Sequence, residues 1–149
     1  IQSITDFFTS FIKEISIMGS LYNRKIITNN NLNEQIQLLF DEQLINRALE
    51  NLFSNAIRYT NNNDTITVNL YKQDNSIFFE MIDTGCGMTK DEINNIFEKK
   101  EGINRVGLIN VHERLQLCFG KDYGIEILSE EGRGTVVIFK LPKEGGKND

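Results

Sequence analysis

The chain is poor in cysteine, in basic charge and in long apolar runs. Only two of its 149 residues are cysteines, Cys86 and Cys118, too few and too isolated for a disulfide framework or a zinc site. We interpret both as free structural thiols, which suits a reducing cytoplasm. The formal net charge is -5 and no Lys/Arg run occurs, which argues against nucleic acid or an anionic membrane as the main partner.

Two further absences narrow the class of protein. No apolar stretch approaches the length of a membrane span, and the first residues lack the basic, apolar and small-residue pattern of a signal peptide. The pattern Gly-x-x-x-x-Gly-Lys-Ser/Thr is also missing, so P-loop chemistry is excluded. We therefore expect a soluble, cytoplasmic and monomeric piece, formed by one domain over residues 1–149 with a disordered polar tail over 143–149.

What is present is a succession of helical and strand patterns. The spacing of apolar residues predicts helices over 4–20, 42–60, 89–97 and 106–119. Alternating or short apolar runs predict strands over 25–28, 36–40, 65–70, 77–83, 125–127 and 135–141. This order predicts an α+β fold, a two-layer sandwich in which helices cover one face of a mixed, mostly antiparallel sheet.

Polar residues mark the ends of several of these elements. Thr5 or Asp6 is available as the N-cap of the first helix. Asp41 is a natural N-cap for the second helix, and Thr89 for the short third one. The run of asparagines over 29–31 predicts a turn after the first strand.

The helix predicted over 42–60 carries a polar stripe beside its apolar face. Asn51, Asn55 and Arg58 follow one another at intervals of four and three residues, so they lie on one side of the helix. Asn is a poor helix former because its amide competes for nearby backbone groups, and two of them one turn apart are a local cost. Either the stripe is an ordinary solvated helix edge, or something polar lies against it.

Asp83 is a second candidate, at the end of a predicted strand. It is in phase with the apolar residues of that strand, so its carboxylate is directed to the core side, where desolvation is expensive without a partner. The nearby glycines, Gly85 and Gly87, suggest that this partner is a ligand, because glycine lets a backbone approach a flat group closely. The alternative is a plain turn with a capping Asp.

Together these motifs resemble the ATP-binding domain of the GHKL superfamily, which gyrase, heat-shock chaperones, histidine kinases and mismatch-repair ATPases share. Five motifs occur in the order and spacing of that family, over nearly all of the chain. They are an N-box over 50–59, a first glycine box over 83–87, a phenylalanine box at Phe97, a second glycine box over 106–108 and a third over 132–135. The run Asn-Leu-Phe-Ser-Asn-Ala-Ile-Arg-Tyr-Thr is similar to the histidine-kinase form of the N-box. The resemblance implies the Bergerat ATP-binding fold.

The resemblance also implies roles for individual residues, with ATP and Mg²⁺ as cofactors. Asn55 would be the metal ligand, giving its side-chain oxygen to the Mg²⁺ that bridges the phosphates, since Mg²⁺ needs only one or two protein groups. Asp83 would accept from the exocyclic amine of adenine, Thr135 would support that contact, and Arg58 would reach the phosphates. The implied catalytic residues are Asn51, Asn55 and Arg58. The implied nucleotide-binding residues are Asn51, Asn55, Arg58, Tyr59, Asp83, Gly85, Gly87, Met88, Arg105, Val106, Gly107, Leu108 and Thr135.

The implied reaction is transfer of the ATP γ-phosphoryl group to a histidine on another domain. The single histidine here, His112, lies inside the helix after the second glycine box, so we interpret it as a surface or partly packed residue and not as the acceptor. The chain thus resembles the catalytic half of a sensor histidine kinase. Its implied partners are ATP, the His-bearing dimerisation domain of the same full-length kinase and a response regulator, with no nucleic acid. The full-length kinase would be homodimeric and membrane-anchored.

Three alternatives stay open at this point. ATP hydrolases of the gyrase or chaperone type place a Glu four residues before the magnesium-binding Asn, where this chain has Asn51. Glu50 lies about 100° away around the helix, which favours transfer over hydrolysis. An anti-sigma-factor Ser/Thr kinase shares the fold. Arg105 stands where the second glycine box usually has Gly, and the lid loop over 99–104 is short, so a module that binds nucleotide without catalysis is the third alternative.

Overall fold

A computed structural model describes residues 2–98 and 108–144, with side chains over 2–95 and 108–144. The helices in these ranges are α1 (Ile4–Leu21), α2 (Glu42–Arg58), α3 (Lys90–Glu98) and α4 (Leu108–Phe119). The strands are β1 (Gln2–Ser3), β2 (Lys25–Asn30), β3 (Gln37–Leu38), β4 (Thr65–Gln73), β5 (Ser76–Asp83), β6 (Gly124–Glu130) and β7 (Gly134–Pro142).

Five of these strands form one sheet in the order β2, β4, β5, β7, β6. β2 runs parallel to β4, and the other three pairs of neighbours are antiparallel. The parallel pair is made possible by the long crossover through β3 and α2, because parallel strands cannot be joined by a tight turn. The predicted mixed, mostly antiparallel sheet is confirmed.

The helices cover one face of the sheet. Along β5, Ile77, Phe79 and Met81 are buried while the residues between them are half-buried, the pattern of a sheet that is covered on one side. Phe8 of α1 stacks on Phe79 with the ring centroids 4.8 Å apart. The buried residues of α2 and α4 belong to the same hydrophobic core. The predicted α+β two-layer sandwich is therefore confirmed.

Two predicted helix starts are confirmed by their capping contacts. The Asp41 carboxylate accepts a hydrogen bond from the backbone N–H of Leu44 at 3.1 Å, as an N-cap of α2 should. At the start of α3, the Glu92 carboxylate accepts from the Thr89 N–H at 2.9 Å, and the Thr89 hydroxyl accepts from the Glu92 N–H at 3.1 Å. This reciprocal pair is a capping box.

The N-cap predicted for α1 was wrong. Ser3 is the N-cap, since its hydroxyl accepts from the Asp6 N–H at 3.1 Å. Thr5 is engaged elsewhere: its hydroxyl donates to the Glu34 carbonyl at 2.8 Å and accepts from the Ile36 N–H at 3.0 Å. The Thr5 hydroxyl thus bonds to the segment before α2 and not to the helix start, a long-range contact that the local sequence does not reveal.

Several element boundaries also differ from the prediction. The turn predicted over 29–31 begins later, because Asn29 and Asn30 continue β2 and pair with Asn69 and Leu70 of β4. The strand predicted over 36–40 is reduced to β3, which pairs with the two-residue β1 beside α1. Helix α2 ends at Arg58, two residues before the predicted end.

The strand register places two polar residues side by side at one end of the sheet. Asp83 is paired with Ile66 of β4 on one side and with Thr135 of β7 on the other. Both Asp83 and Thr135 are buried on the helix-covered face. Within the described residues, no helix combines the length and apolar character that crossing a membrane requires.

Candidate functional site

A small, partly open cleft lies between the second half of α2 and the ends of strands β5, β6 and β7. Helix α2 forms one wall because its apolar stripe packs on the sheet, which leaves the polar edge beside that stripe at the cleft. The residues that line the cleft are Leu52, Asn55, Ala56, Tyr59, Met81, Asp83, Met88, Ile127, Thr135 and Val137. A mostly apolar interior with a few polar groups is typical of a site for a small organic ligand.

The principal charged group of the cleft is the carboxylate of Asp83. Burial raises the pKa of this carboxyl above its ordinary value, while hydrogen bonds from the backbone N–H groups of Gly85 and Thr135 act in the opposite direction. The Gly85 N–H donates to Asp83 Oδ1 at 2.9 Å. The negative charge of Asp64 adds to the rise in pKa. A buried carboxylate of this kind gains from a hydrogen-bond donor on a ligand.

Thr135 is held next to Asp83 by a small hydroxyl network. Its Oγ1 lies 2.8 Å from the Oγ of Ser129 on the neighbouring strand β6. Ser129 Oγ also accepts from the Met88 N–H at 2.8 Å and lies 3.0 Å from the Gly134 carbonyl oxygen, within donating distance. One serine therefore connects β6, β7 and the segment after β5 on the floor of the cleft.

The first glycine box is a close-packed backbone crossing. A Cβ at Gly85 would overlap the Tyr59 carbonyl at the end of α2, and the Cys86 N–H donates to that same carbonyl at 3.0 Å. Gly87 has φ +75°, a conformation that side chains rarely adopt, and a Cβ there would overlap the Glu130 carbonyl. Because these two residues lack a Cβ, the segment after β5 can pack closely against the end of α2 on one side and against the β6–β7 turn on the other.

The end of α2 is fixed by Arg24, which precedes β2. Its guanidinium donates to the carbonyls of Ile57 and Thr60, each at 2.8 Å, and to the Thr60 hydroxyl at 2.7 Å. It also donates to the Tyr22 carbonyl at 2.6 Å and to Asn62 Oδ1 at 3.2 Å. Carbonyls at a helix C-terminus lack intrahelical partners, so a fork of donors there stabilises the helix end that carries Tyr59.

The structure brings five of the predicted site residues together in the cleft: Asn55, Tyr59, Asp83, Met88 and Thr135. Others lie outside its lining. Asn51 is half-buried one turn earlier on α2, and Arg58 is exposed at the last position of the helix. Gly85 and Gly87 brace the segment after β5, as described above.

The second glycine box is described only at its last residue. Leu108 is fully buried in the core at the start of α4. The predictions for Arg105, Val106 and Gly107, for the lid loop over 99–104 and for the side chain of Phe97 lie outside the described residues.

Sequence reasoning missed part of the cleft lining. Leu52, Ala56, Met81, Ile127 and Val137 have the apolar phase of core residues, and nothing in the sequence separates a core position from a position on the cleft wall. Ser129 gave no signal either, because a lone serine in a strand has no motif around it.

The donor set fits a magnesium ion that is shared with a ligand. Among the described residues, no group of three or more His, Cys, Asp or Glu side chains is placed to hold a metal ion. Mg²⁺ takes hard oxygen ligands, keeps several waters and is commonly bound by one or two protein groups together with substrate phosphates. The side-chain oxygen of Asn55 meets that requirement.

His112 is half-buried, in agreement with the prediction of a surface or partly packed residue. Its Nδ1 accepts from the Ile125 N–H at 3.0 Å, and the ring lies against Gly124, where a Cβ would clash with Nδ1 at 2.5 Å. The ring is half-buried between α4 and β6. This histidine joins helix to sheet.

Comparison with known proteins finds a matching family model that covers most of the chain. The family described as histidine kinase-, DNA gyrase B-, and HSP90-like ATPase matches residues 40–145. Among curated proteins, the sensor histidine kinase YpdA of Escherichia coli (strain K12) is 24% identical over 130 residues. That match covers 87% of this chain and 22% of YpdA, so the chain spans about a fifth of that relative's length.

Solved structures share the fold. A mycobacterial sensor histidine kinase, MprB, superposes with a TM-score of 0.68 at 17% identity, over 95% of both chains. The histidine kinase ThkA, solved in complex with the response regulator protein TrrA, gives 0.67 at 19% identity. That match covers 95% of this chain and 40% of ThkA.

Proposed function

Since the chain belongs to the histidine kinase-, DNA gyrase B-, and HSP90-like ATPase family, we propose that it is the ATP-binding catalytic domain of a sensor histidine kinase. The observation that carries the proposal is the cleft, in which the buried Asp83 carboxylate and Thr135 stand opposite Asn55 of α2. One wall fits a nucleobase and the other fits a metal-bound phosphate chain. The reaction is transfer of the ATP γ-phosphoryl group to a histidine on a separate domain.

Each residue of the cleft has a distinct task in this proposal. Asp83 accepts a hydrogen bond from the adenine amine, which compensates the cost of burying its carboxylate. Met81 and Met88 provide adaptable apolar contacts for the base. Asn55 holds Mg²⁺, which neutralises phosphate charge when bound. The exposed Arg58 lies one helical turn beyond Asn55, where its guanidinium is free to swing to the phosphates.

The helix face at Asn51 favours transfer over hydrolysis. A hydrolase needs a carboxylate there to activate water, and this chain has an amide, which cannot act as a general base. The nearest carboxylate, Glu50, is exposed and accepts from the Asn46 side chain at 3.2 Å. Phosphoryl transfer needs positioning and charge neutralisation more than a base, so the site is suited to an acceptor that another domain presents.

The partners in the proposal are a His-bearing dimerisation domain of the same full-length kinase and a response regulator. The structure of ThkA in complex with the response regulator protein TrrA supports the second of these. The full-length protein would be a membrane-anchored homodimer with this domain in the cytoplasm. Nucleic acid is not among the proposed partners, given the net charge of -5.

The test begins with titration of the domain with Mg-ATP and a non-hydrolysable analogue. Binding that falls in Asn55→Ala and Asp83→Ala, with an unchanged control in exposed Asn94→Ala on α3, supports the site. Mixing the domain with its upstream helical hairpin and labelled ATP should then label a histidine of the hairpin. The proposal is wrong if the intact domain binds no adenine nucleotide, or if it turns over ATP rapidly without the hairpin, which points to a hydrolase.

A further inference from the structure

Ser129 lies beneath the polar end of the cleft and contacts two of its components. We propose that Ser129 is a positioning residue that orients the Thr135 hydroxyl and thereby makes the cleft prefer adenine over guanine nucleotides. This inference rests on the proposed nucleotide-binding function. It assigns a role to a side chain outside the motifs, on an edge strand of the sheet.

The hydrogen-bond inventory of Ser129 is tightly constrained. Its hydroxyl has one proton and two lone pairs. The Met88 N–H, at 2.8 Å, uses one lone pair. The single proton has two acceptors within reach, the Gly134 carbonyl at 3.0 Å and Thr135 Oγ1 at 2.8 Å.

The choice between these acceptors determines whether the Thr135 hydroxyl can donate a hydrogen bond to a ligand in the cleft or can only accept one. If Ser129 donates to Gly134, Thr135 must donate to Ser129 and presents only lone pairs to a ligand. If Ser129 donates to Thr135, the Thr135 proton is released toward the cleft. In either case Ser129 engages Thr135, whose hydroxyl would otherwise be available to donate to the Asp83 carboxylate beside it.

The second arrangement matches adenine and opposes guanine. Adenine carries an amine donor next to a ring-nitrogen acceptor, so it needs the Asp83 acceptor beside a donor. That donor is the Thr135 hydroxyl, directly or through a water. Guanine carries a carbonyl next to a ring N–H, which places an oxygen against the Asp83 carboxylate and a donor against a donor. The Ser129–Thr135 pair thus supplies the hydrogen-bond donor that adenine recognition needs in addition to the Asp83 acceptor.

The experiment measures the affinities for Mg-ADP and Mg-GDP of the wild-type domain and five variants. Ser129→Ala and Thr135→Val should each weaken ADP binding about five- to tenfold and leave GDP binding nearly unchanged, so the ADP/GDP ratio falls. The double variant should bind Mg-ADP with about the affinity of the more weakly binding single variant, because both changes remove the same contact. Ser129→Thr, which keeps the hydroxyl, should restore the ratio. Ser76→Ala, a matched change at the far end of the sheet, is the control.

The outcomes separate this inference from the proposed function. A wild-type domain that binds neither nucleotide contradicts the proposed function itself. A wild-type preference for ADP that survives unchanged in Ser129→Ala overturns only the role of Ser129. Equal weakening of ADP and GDP, or additive losses in the double variant, also overturns it, because Ser129 would then act only by supporting the backbone at Met88.

Discussion

At the scale of single residues, burial of the Asp83 carboxylate opposes folding but favours binding of a ligand that donates a hydrogen bond. Its side chain is 7% exposed, and burial raises the pKa of the carboxyl above its ordinary value of 3.8. The backbone N–H groups of Gly85 and Thr135 compensate only in part, and Asp64 adds repulsion. The ionised carboxylate therefore opposes folding at neutral pH, and a ligand that donates a hydrogen bond relieves that cost.

The pH dependence of stability should reveal this cost. Because the folded state holds the Asp83 proton to higher pH than the unfolded state, its contribution to the free energy of unfolding falls as pH rises from about 4 through the raised pKa, and is then constant. Asp83→Asn removes this titration. We expect the stability of the wild type relative to Asp83→Asn to decrease as the pH rises above about 4 through the raised pKa of Asp83, measured by urea unfolding without nucleotide.

The matched control is Asp122→Asn, which changes an exposed carboxylate in the turn before β6. The free energy of unfolding of this variant, plotted against pH, should run parallel to that of the wild type over the same range. If the curves for the wild type and Asp83→Asn are also parallel, the burial of Asp83 does not govern its titration, and its ionised carboxylate does not oppose folding.

At the scale of elements, the end of α2 depends on Arg24. The guanidinium reaches carbonyls 33 and 36 residues away in the chain and links the segment before β2 to the helix that carries Asn55 and Tyr59. Arg24→Met should lower the free energy of unfolding by about 3 kcal/mol, since it removes several hydrogen bonds from a charged donor, two of them to carbonyls at the helix end. Urea unfolding measures this loss.

Two further variants show whether the geometry of the guanidinium matters. Arg24→Lys should recover less than half of the loss, because a single ammonium cannot span the acceptors that the planar fork reaches. Arg47→Met, at an exposed position of α2, should stay within about 0.5 kcal/mol of the wild type. Full recovery by Lys would show that charge alone stabilises the helix end.

What the sequence could and could not predict follows from the range of the interactions. Local signals were sufficient for α2, whose apolar stripe and Asp41 cap lie within the helix and at its start. The extension of β2 through Asn30 was missed because it depends on parallel pairing with β4, some 40 residues later, which overrides the turn preference of asparagine. The N-cap at Ser3 was missed because the segment before α2 recruits Thr5.

The same distinction applies to the cleft. Asp83 was predictable because strand phase and motif resemblance agree on it, and Thr135 because the resemblance names it. Arg24 and Ser129 were not, because their partners are separated from them by many residues and neither lies in a motif. The sequence thus predicts the polar groups that line the cleft better than the groups that hold them in place.

At the scale of the whole molecule, the cleft joins parts of the chain that are far apart in sequence. Asn55 belongs to the first half of the chain, Asp83 to the middle of the sheet and Thr135 to its last strand. A ligand that contacts all three binds only the folded state. Its binding free energy therefore adds to the stability of the whole domain, provided that unfolding is cooperative.

Thermal unfolding should show this stabilisation by the ligand. Variants should separate the contribution of the metal from that of the nucleobase. At about 100 times its dissociation constant, Mg-ADP should stabilise the domain by about 2.7 kcal/mol, a rise in melting temperature of roughly 5 to 10 °C. In Asn55→Ala the rise should shrink to the value that the wild type shows with ADP and a chelator, because the variant lacks the metal ligand but keeps the base contacts. Asp83→Asn should reduce the rise with and without metal. Asn46→Ala, two and a half turns earlier on α2, should behave as the wild type does. A rise in Asn55→Ala that still depends fully on Mg²⁺ would place the metal ligand elsewhere in the chain.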